Sequence, residues 1–183
     1  MSFQWTPHRF SGGALALDVA NSVILRADPE RCIDRFAVEA QLAAFPQAAA
    51  RHCAERELAA VLDLPEPAAR QRLVDLREAI DAYFRCRTLG TDDRPLLAGL
   101  LSAAAICLAG ARSETALEAA TARSAIRLVS DPASERMKIC GNCGWLFLDR
   151  SKNRSRTWCD MAVCGNRAKA SRHYQRRKQE ASS

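Results

Sequence analysis

Four cysteines near the C-terminus carry the clearest chemistry in this sequence. They lie in CGNCGWLFLDRSKNRSRTWCDMAVC, from Cys140 to Cys164, spaced as C-x2-C, fifteen residues, then C-x4-C. A C-x2-C pair offers two sulfurs to one ion from a single tight turn, and Gly141 and Gly144 supply the small residues such a turn needs. Cys159 and Cys164 close a tetrahedral four-sulfur site. Zinc suits this donor set best, because it binds thiolate strongly and makes no geometric demand through its d-electrons. Four thiolates leave no open position for water, so the one expected ion is structural rather than catalytic. An iron–sulfur cluster would use the same ligands. A redox-active CxxC is expected beside a βαβ pattern, and none is visible. Paired disulfides belong to secreted chains, and the start MSFQWTPHRF lacks the charged and apolar segments of an export signal. The expectation is a cytoplasmic protein with reduced thiols. Cys32, Cys53, Cys86 and Cys107 are widely scattered and read as small buried hydrophobes.

Charge gathers around the same stretch. The formal net charge is +6 over 183 residues. From Arg136 onward, twelve Lys and Arg stand against three Asp and Glu; before it, fifteen stand against eighteen. Four thiolates and one Zn²⁺ remove little of that excess. A small basic unit on a mildly acidic body is the electrostatic footprint of a polyanion binder.

Directly after Cys164 comes GNRAKASRHYQRRK. Cys164, Gly165, Asn166 and Arg167 spell CGNR, and WLFLD (Trp145 to Asp149), WCDM (Trp158 to Met161) and Lys169 accompany it. On these residues the last quarter of the chain resembles the CGNR zinc-finger family. GGALALDVANSV, near the N-terminus, resembles the start of the helical domain of stress-induced transcription regulators that commonly precedes such fingers. The resemblance implies a bacterial transcription regulator.

The elements that must position these residues follow from periodicity and punctuation. Arg136 to Ile139 lead as a strand into Cys140, Trp145 to Leu148 form a second strand, and a helix begins near Asn166 and runs to about Gln179. A knuckle, a hairpin and a terminal helix around one zinc make a treble-clef-like finger. It is too small to fold by apolar burial alone, so loss of Cys143 should unfold it while the rest of the chain stays folded. Projected at about 100° per residue, Lys169, Arg172 and Arg176 form one basic stripe on the terminal helix. The stripe, with Arg177 and the loop residues Arg150, Lys152, Arg154 and Arg156, makes the candidate nucleic-acid contact surface. Arg167 belongs to the same candidate set, but its place in the projection suggests the packed side, bonded to loop carbonyls, Asp149 or Asp160. Tyr174 is expected against the hairpin, Asn166 as helix N-cap or base contact, and Trp145, Phe147 and Trp158 as the finger's core.

The preceding part reads as helix throughout, in five or six pieces with no sheet signal. Ala and Leu are abundant, which favours helix. A short helix starts near Leu15, with Asp18 and Asn21 on one side, set to bond in the core or to line a ligand pocket. Phe36 to Phe45 is a second, stopped at Pro46; His52 to Leu62 is a third. The clearest runs from Pro67 to Thr88: Ala69, Leu73, Leu76, Ile80, Tyr83 and Phe84 repeat at helical spacing, with Arg70, Arg77 and Arg85 at its polar positions. Asp92-Asp93 cap a helix over Leu96 to Leu108, and Ser113 caps one that ends at Ser130-Asp131-Pro132. The fold class is therefore mainly α: an all-helical sensor or oligomerisation domain over residues 1–133, then a zinc finger over 134–183.

No stretch reaches the length of a membrane span. No phosphate-binding loop or nucleophile pattern is present, and His8, His52 and His173 read as ordinary, so an enzyme is not expected. Three functions fit: a regulator that binds duplex DNA, an RNA-binding or ribosome-associated protein, and a zinc-scaffolded interaction module. The first is favoured, with a homodimer and a small-molecule effector of the helical domain as its expected partners.

Overall fold

The computed structural model describes residues 3–180. It is mainly α, as expected. A 3₁₀ turn, Pro7–Phe10, is followed by α1 (Leu15–Ala20), β1 (Val23–Ile24), β2 (Ile33–Asp34), α2 (Glu39–His52), α3 (Arg56–Ala59), α4 (Pro67–Thr88), α5 (Arg94–Gly110) and α6 (Leu117–Ser130). The C-terminal part holds β3 (Met137–Ile139), β4 (Leu146–Leu148), a π turn (Met161–Gly165) and α7 (Asn166–Glu180). Among the described residues no helix is long and apolar enough to cross a membrane.

The long helix α4 lies where its periodicity puts it. Ala69, Leu73, Leu76, Ile80, Tyr83 and Phe84 are all buried. Leu76, Ile80, Tyr83 and Phe84 join Leu17 and Ala20 of α1, Leu100 and Ala104 of α5, and Ala122, Ala125 and Leu128 of α6 in the main core. A second core gathers Phe10, Phe36, Phe45, Leu42, Leu73 and Leu117. The helix ends at Leu89, and Gly90 takes the left-handed conformation (φ +91°) that relieves its last carbonyls. α5 opens on Asp93, whose carboxylate accepts from the Leu96 amide at 2.9 Å.

Several local expectations are corrected. Arg77 does not sit on a polar face: it is buried, and its guanidinium grips Asp34 of β2 by two bonds of 2.7 Å, with Nε on Glu78 at 2.8 Å. Such a fork-to-carboxylate pair is tolerated inside because both charges are satisfied. Arg85 is also engaged, on Asp81 and on the Gly144 carbonyl. Asp34 belongs to a β1–β2 hairpin that the sequence does not announce, since two-residue strands are too short to show alternation. Pro46 lies inside α2 rather than at its end; Leu42 and Phe45 before it and Ala48 and Ala49 after it are buried, so packing holds both halves across the missing N–H. The third helix shrinks to α3. α6 starts at Leu117, not Ser113. The Ser113 hydroxyl donates to the Asp63 carboxylate at 2.9 Å, and backbone bonds from Asp63 N to Thr115 O (2.8 Å) and Leu117 N to Asp63 O (3.0 Å) replace the expected cap. Cys53 and Cys107 are buried as expected, but Cys86 is only half-buried and Cys32 is exposed.

β3 and β4 pair antiparallel, Met137 opposite Leu148 and Ile139 opposite Leu146. Alternation then sends the hairpin's residues two ways. Met137, Leu146 and Leu148 enter the main core beside α1 and α4, whereas Phe147 packs with the cysteines and Trp145. The hairpin is therefore also a wall of the helical body, and polar bonds reinforce it. Asn21, at the end of α1, clasps Leu146 with both ends of its amide: Nδ2 donates to the carbonyl at 2.9 Å, and Oδ1 accepts from the amide at 3.1 Å. Leu148 N donates to Gly12 O at 2.9 Å, and Trp145 Nε1 donates to Val23 O at 3.1 Å. Asp18 is wholly buried and accepts from Gly12 N at 3.0 Å, and burial pushes its carboxyl up.

Candidate metal centre and basic surface

The C-x2-C turn forms as its glycines allow. Gly144 sits at φ +74°, and its amide donates to the Cys140 carbonyl at 2.9 Å. Gly141 serves a different need: a Cβ there would stand 3.0 Å from the Trp158 ring, which packs over the turn. The second pair is set by the π turn. Asp160 Oδ1 accepts from Val163 N at 3.0 Å, and Cys164 N and Gly165 N both bond to Asp160 O, so the chain curls back toward the first pair.

The four cysteines converge. Cys143 Sγ lies 3.6 Å from Cys159 Sγ, which lies 3.7 Å from Cys164 Sγ. Tetrahedral zinc–thiolate bonds of about 2.3 Å require sulfur edges of about 3.8 Å, so the spacing fits one ion. Cys140 closes the cluster from the turn side, with its sulfur in hydrogen-bonding contact with Cys143 and Cys159. Those contacts push the Cys140 thiol down and the Cys143 and Cys159 thiols up. Burial pushes Cys164 up. Without a cation the cluster cannot hold four negative sulfurs; a divalent ion removes that conflict. Cys140, Cys159 and Cys164 are buried and Cys143 is half-buried, so access for a reacting ligand is slight.

One residue that looks ordinary in the sequence stands at this centre. His8, from the 3₁₀ turn at the other end of the chain, has Nε2 3.2 Å from Cys164 Sγ and 3.6 Å from Cys159 Sγ. His8 and the sulfurs of Cys143, Cys159 and Cys164 all lie within 4.8 Å of one another. Its ring stacks on Trp145, centroids 5.0 Å apart. Nothing in the local sequence signals this, because the partners are more than 150 residues away.

Beside the cysteines, Asp149 and Lys138 organise the basic loop. Lys138 Nζ donates to Asp149 Oδ2 at 2.8 Å, to Arg154 O at 2.6 Å and to Arg156 O at 2.9 Å. Asp149 is buried and also accepts from the amides of Ser151 and Arg156, each at 2.9 Å. Burial pushes its carboxyl up, but the bonds from Lys138, Ser151 and Arg156 outweigh burial and hold it well below the ordinary carboxylate range. In the sequence Lys138 counts only as one more positive charge.

The candidate contact residues divide. Arg150 donates to Gly13 O at 2.7 Å, and Arg156 is half-buried, bonded to Cys159 O and lying over the Phe147 ring. Lys152 and Arg154 are exposed on the loop. Arg167, Lys169, Arg172, Arg176 and Arg177 are exposed on α7. Lys169, Arg172 and Arg176 share one groove with Gln175 and Gln179, as the helical projection requires. Three expectations for α7 fail. Arg167 is exposed and has no bond to Asp149 or Asp160 among the described residues. Tyr174 is 71% exposed rather than packed on the hairpin. Asn166 is not an N-cap: it already has helical geometry and donates to Ala162 O at 2.9 Å, because the π turn runs into α7 without a break and Asp160 caps the combined element. That continuity carries α7 outward from the metal, and from Lys169 to Gln179 every residue is exposed. Trp145 and Phe147 are buried and Trp158 is half-buried, as core residues of the module.

A knuckle, a short hairpin and a helix leaving the last ligand, with Cys164-Gly165-Asn166-Arg167 at the junction, form one compact unit. Residues 136–177 match the family model of the CGNR zinc finger. No curated protein and no solved structure matches the chain. The match spans both strands, all four cysteines and most of α7. The match and the cysteine cluster support metal binding, and the four cysteines suit one structural zinc ion that would be held by Cys140, Cys143, Cys159 and Cys164. Bound there, the ion would neutralise the thiolates and fix the knuckle against the start of α7.

Proposed function

We propose that this chain is a DNA-binding transcription regulator whose CGNR finger presents α7 to duplex DNA. The carrying observation is α7 itself: a helix charged on nearly every face, exposed from Lys169 to Gln179. Burial does not hold such a helix, and a polyanion satisfies it better than water does. Arg167, Lys169, Arg172, Arg176 and Arg177 supply phosphate contacts, with Lys152 and Arg154 beside them, and counterion release drives much of the affinity. Whichever of Lys169, Arg172 and Arg176 reaches a base edge reads sequence in the major groove. The helical body serves as the sensing and oligomerising part, and the reduced thiols belong to a cytoplasmic protein. In-vitro selection of zinc-loaded protein from random duplex DNA at physiological salt tests this. A recovered motif supports a sequence-specific regulator, and inverted half-sites indicate a homodimer. Recovery without a motif moves the function to RNA or nonspecific binding; no recovery moves it to protein interaction.

A further inference from the structure

We propose that the N-terminal segment Thr6 to Ser11 is the outer wall of the metal centre, with His8 donating its Nε2–H to the Cys164 thiolate. Five donors surround the site, and zinc takes four. His8, and not Cys140, shares the group of donor atoms within 4.8 Å of one another, but its 3.2 Å separation from Cys164 points to it as the one that stays outside. Two ligands of one tetrahedral zinc, an imidazole nitrogen and a thiolate, stand about 3.6 Å apart. His8 comes closer to Cys164 than that edge, as an N–H···S hydrogen bond allows.

Other donors point the same way. Asn142 Nδ2 donates to Cys164 Sγ at 3.5 Å. The buried Ser11 hydroxyl has no nitrogen or oxygen partner among the described residues, and it lies within hydrogen-bonding reach of Cys159. A zinc tetrathiolate carries a net charge of about −2; N–H and O–H donors spread that charge and hold the sulfurs in place.

The same segment is bolted to the body on its other side. Phe10 is buried, 5.3 Å from the Phe45 ring, and Trp5, just before the segment, donates its Nε1–H to Gln41 O at 2.7 Å. Metal held by the CGNR finger therefore also seats the N-terminal segment on the second core, and loosening that segment weakens the metal site. This inference does not depend on what α7 binds.

The test uses the full chain with His8→Ala and His8→Gln. Zinc affinity is read by competition with a chromophoric chelator, and the ligand set by cobalt(II) substitution. In His8→Ala, zinc affinity falls by about 10–100-fold, the range for losing a partner of a ligand, while the cobalt charge-transfer and ligand-field bands keep their four-thiolate form. His8→Gln, which retains an N–H donor, recovers most of the affinity. Unchanged affinity in His8→Ala overturns the proposal. So does a changed cobalt spectrum in His8→Ala together with an unchanged one in Cys140→Ser, which would make His8 the ligand and Cys140 the neighbour. If His8→Ala does not fold, Ser11→Ala and His8→Gln decide: weaker zinc binding in Ser11→Ala with near-normal binding in His8→Gln upholds the wall, and any other pair of results removes it.

Discussion

Asn21 shows how much one side chain can do here. Its amide satisfies both backbone groups of Leu146 in a buried setting. Asn21→Ala leaves a donor and an acceptor unpaired, and each such group costs about 1–3 kcal/mol. A clear drop in the urea midpoint, with the m-value unchanged, is the expected outcome. Asp149 makes a pH-dependent contribution. Its folded carboxyl is depressed, so its stabilisation is complete well above the unfolded value of about 3.9 and is lost as pH falls through the folded value. Asp149→Asn should therefore melt below wild type near pH 7, and the gap between the two should narrow as pH drops below about 4. Paired thermal melts across that range check the sign; a gap that grows in acid would refute it.

Among the elements, α7 separates function from stability most cleanly. It is charged and exposed along its length, so its substitutions should cost little: Arg172→Glu with Arg176→Glu is expected to leave the melting temperature nearly unchanged, within the small effects usual for surface changes. The same variant should weaken DNA binding and flatten the dependence of log affinity on log salt by about 2, one for each phosphate contact removed. Fluorescence anisotropy at several salt concentrations measures both. An unchanged slope would take this face of the helix out of the interface. The β3–β4 hairpin behaves oppositely, because it serves two cores at once, Leu146 and Leu148 on one side and Phe147 on the other.

That double duty changes what metal loss does to the whole molecule. From the sequence, the finger should unfold alone. With Met137, Leu146 and Leu148 inside the core shared with α1, α4, α5 and α6, with Gly12, Asn21 and Arg85 bonded to the finger's backbone and with the Val23 carbonyl holding the Trp145 indole, the two parts are mechanically joined. Chelation, or Cys143→Ser, should lower the melting temperature of the entire chain in one cooperative transition instead of detaching the finger. Calorimetry with and without chelator distinguishes one shifted peak from two.

The features legible in the sequence are those with short-range signatures. Cysteine spacing gave the metal site, a 3.6-residue period gave α4, runs of aromatic and apolar residues gave the β3–β4 hairpin, and charge count with helical projection gave the basic surface of α7. Each is written in short stretches of the chain, where geometry follows from residue type and spacing. What remained hidden depends on partners far apart in the chain. His8 and Ser11 at the metal, Arg77 on Asp34, Lys138 at the centre of the basic loop and Asn21 on Leu146 all acquire their roles through tertiary packing. A polar side chain carries no local mark of the distant group that will satisfy it, so its burial becomes visible only when the chain has folded.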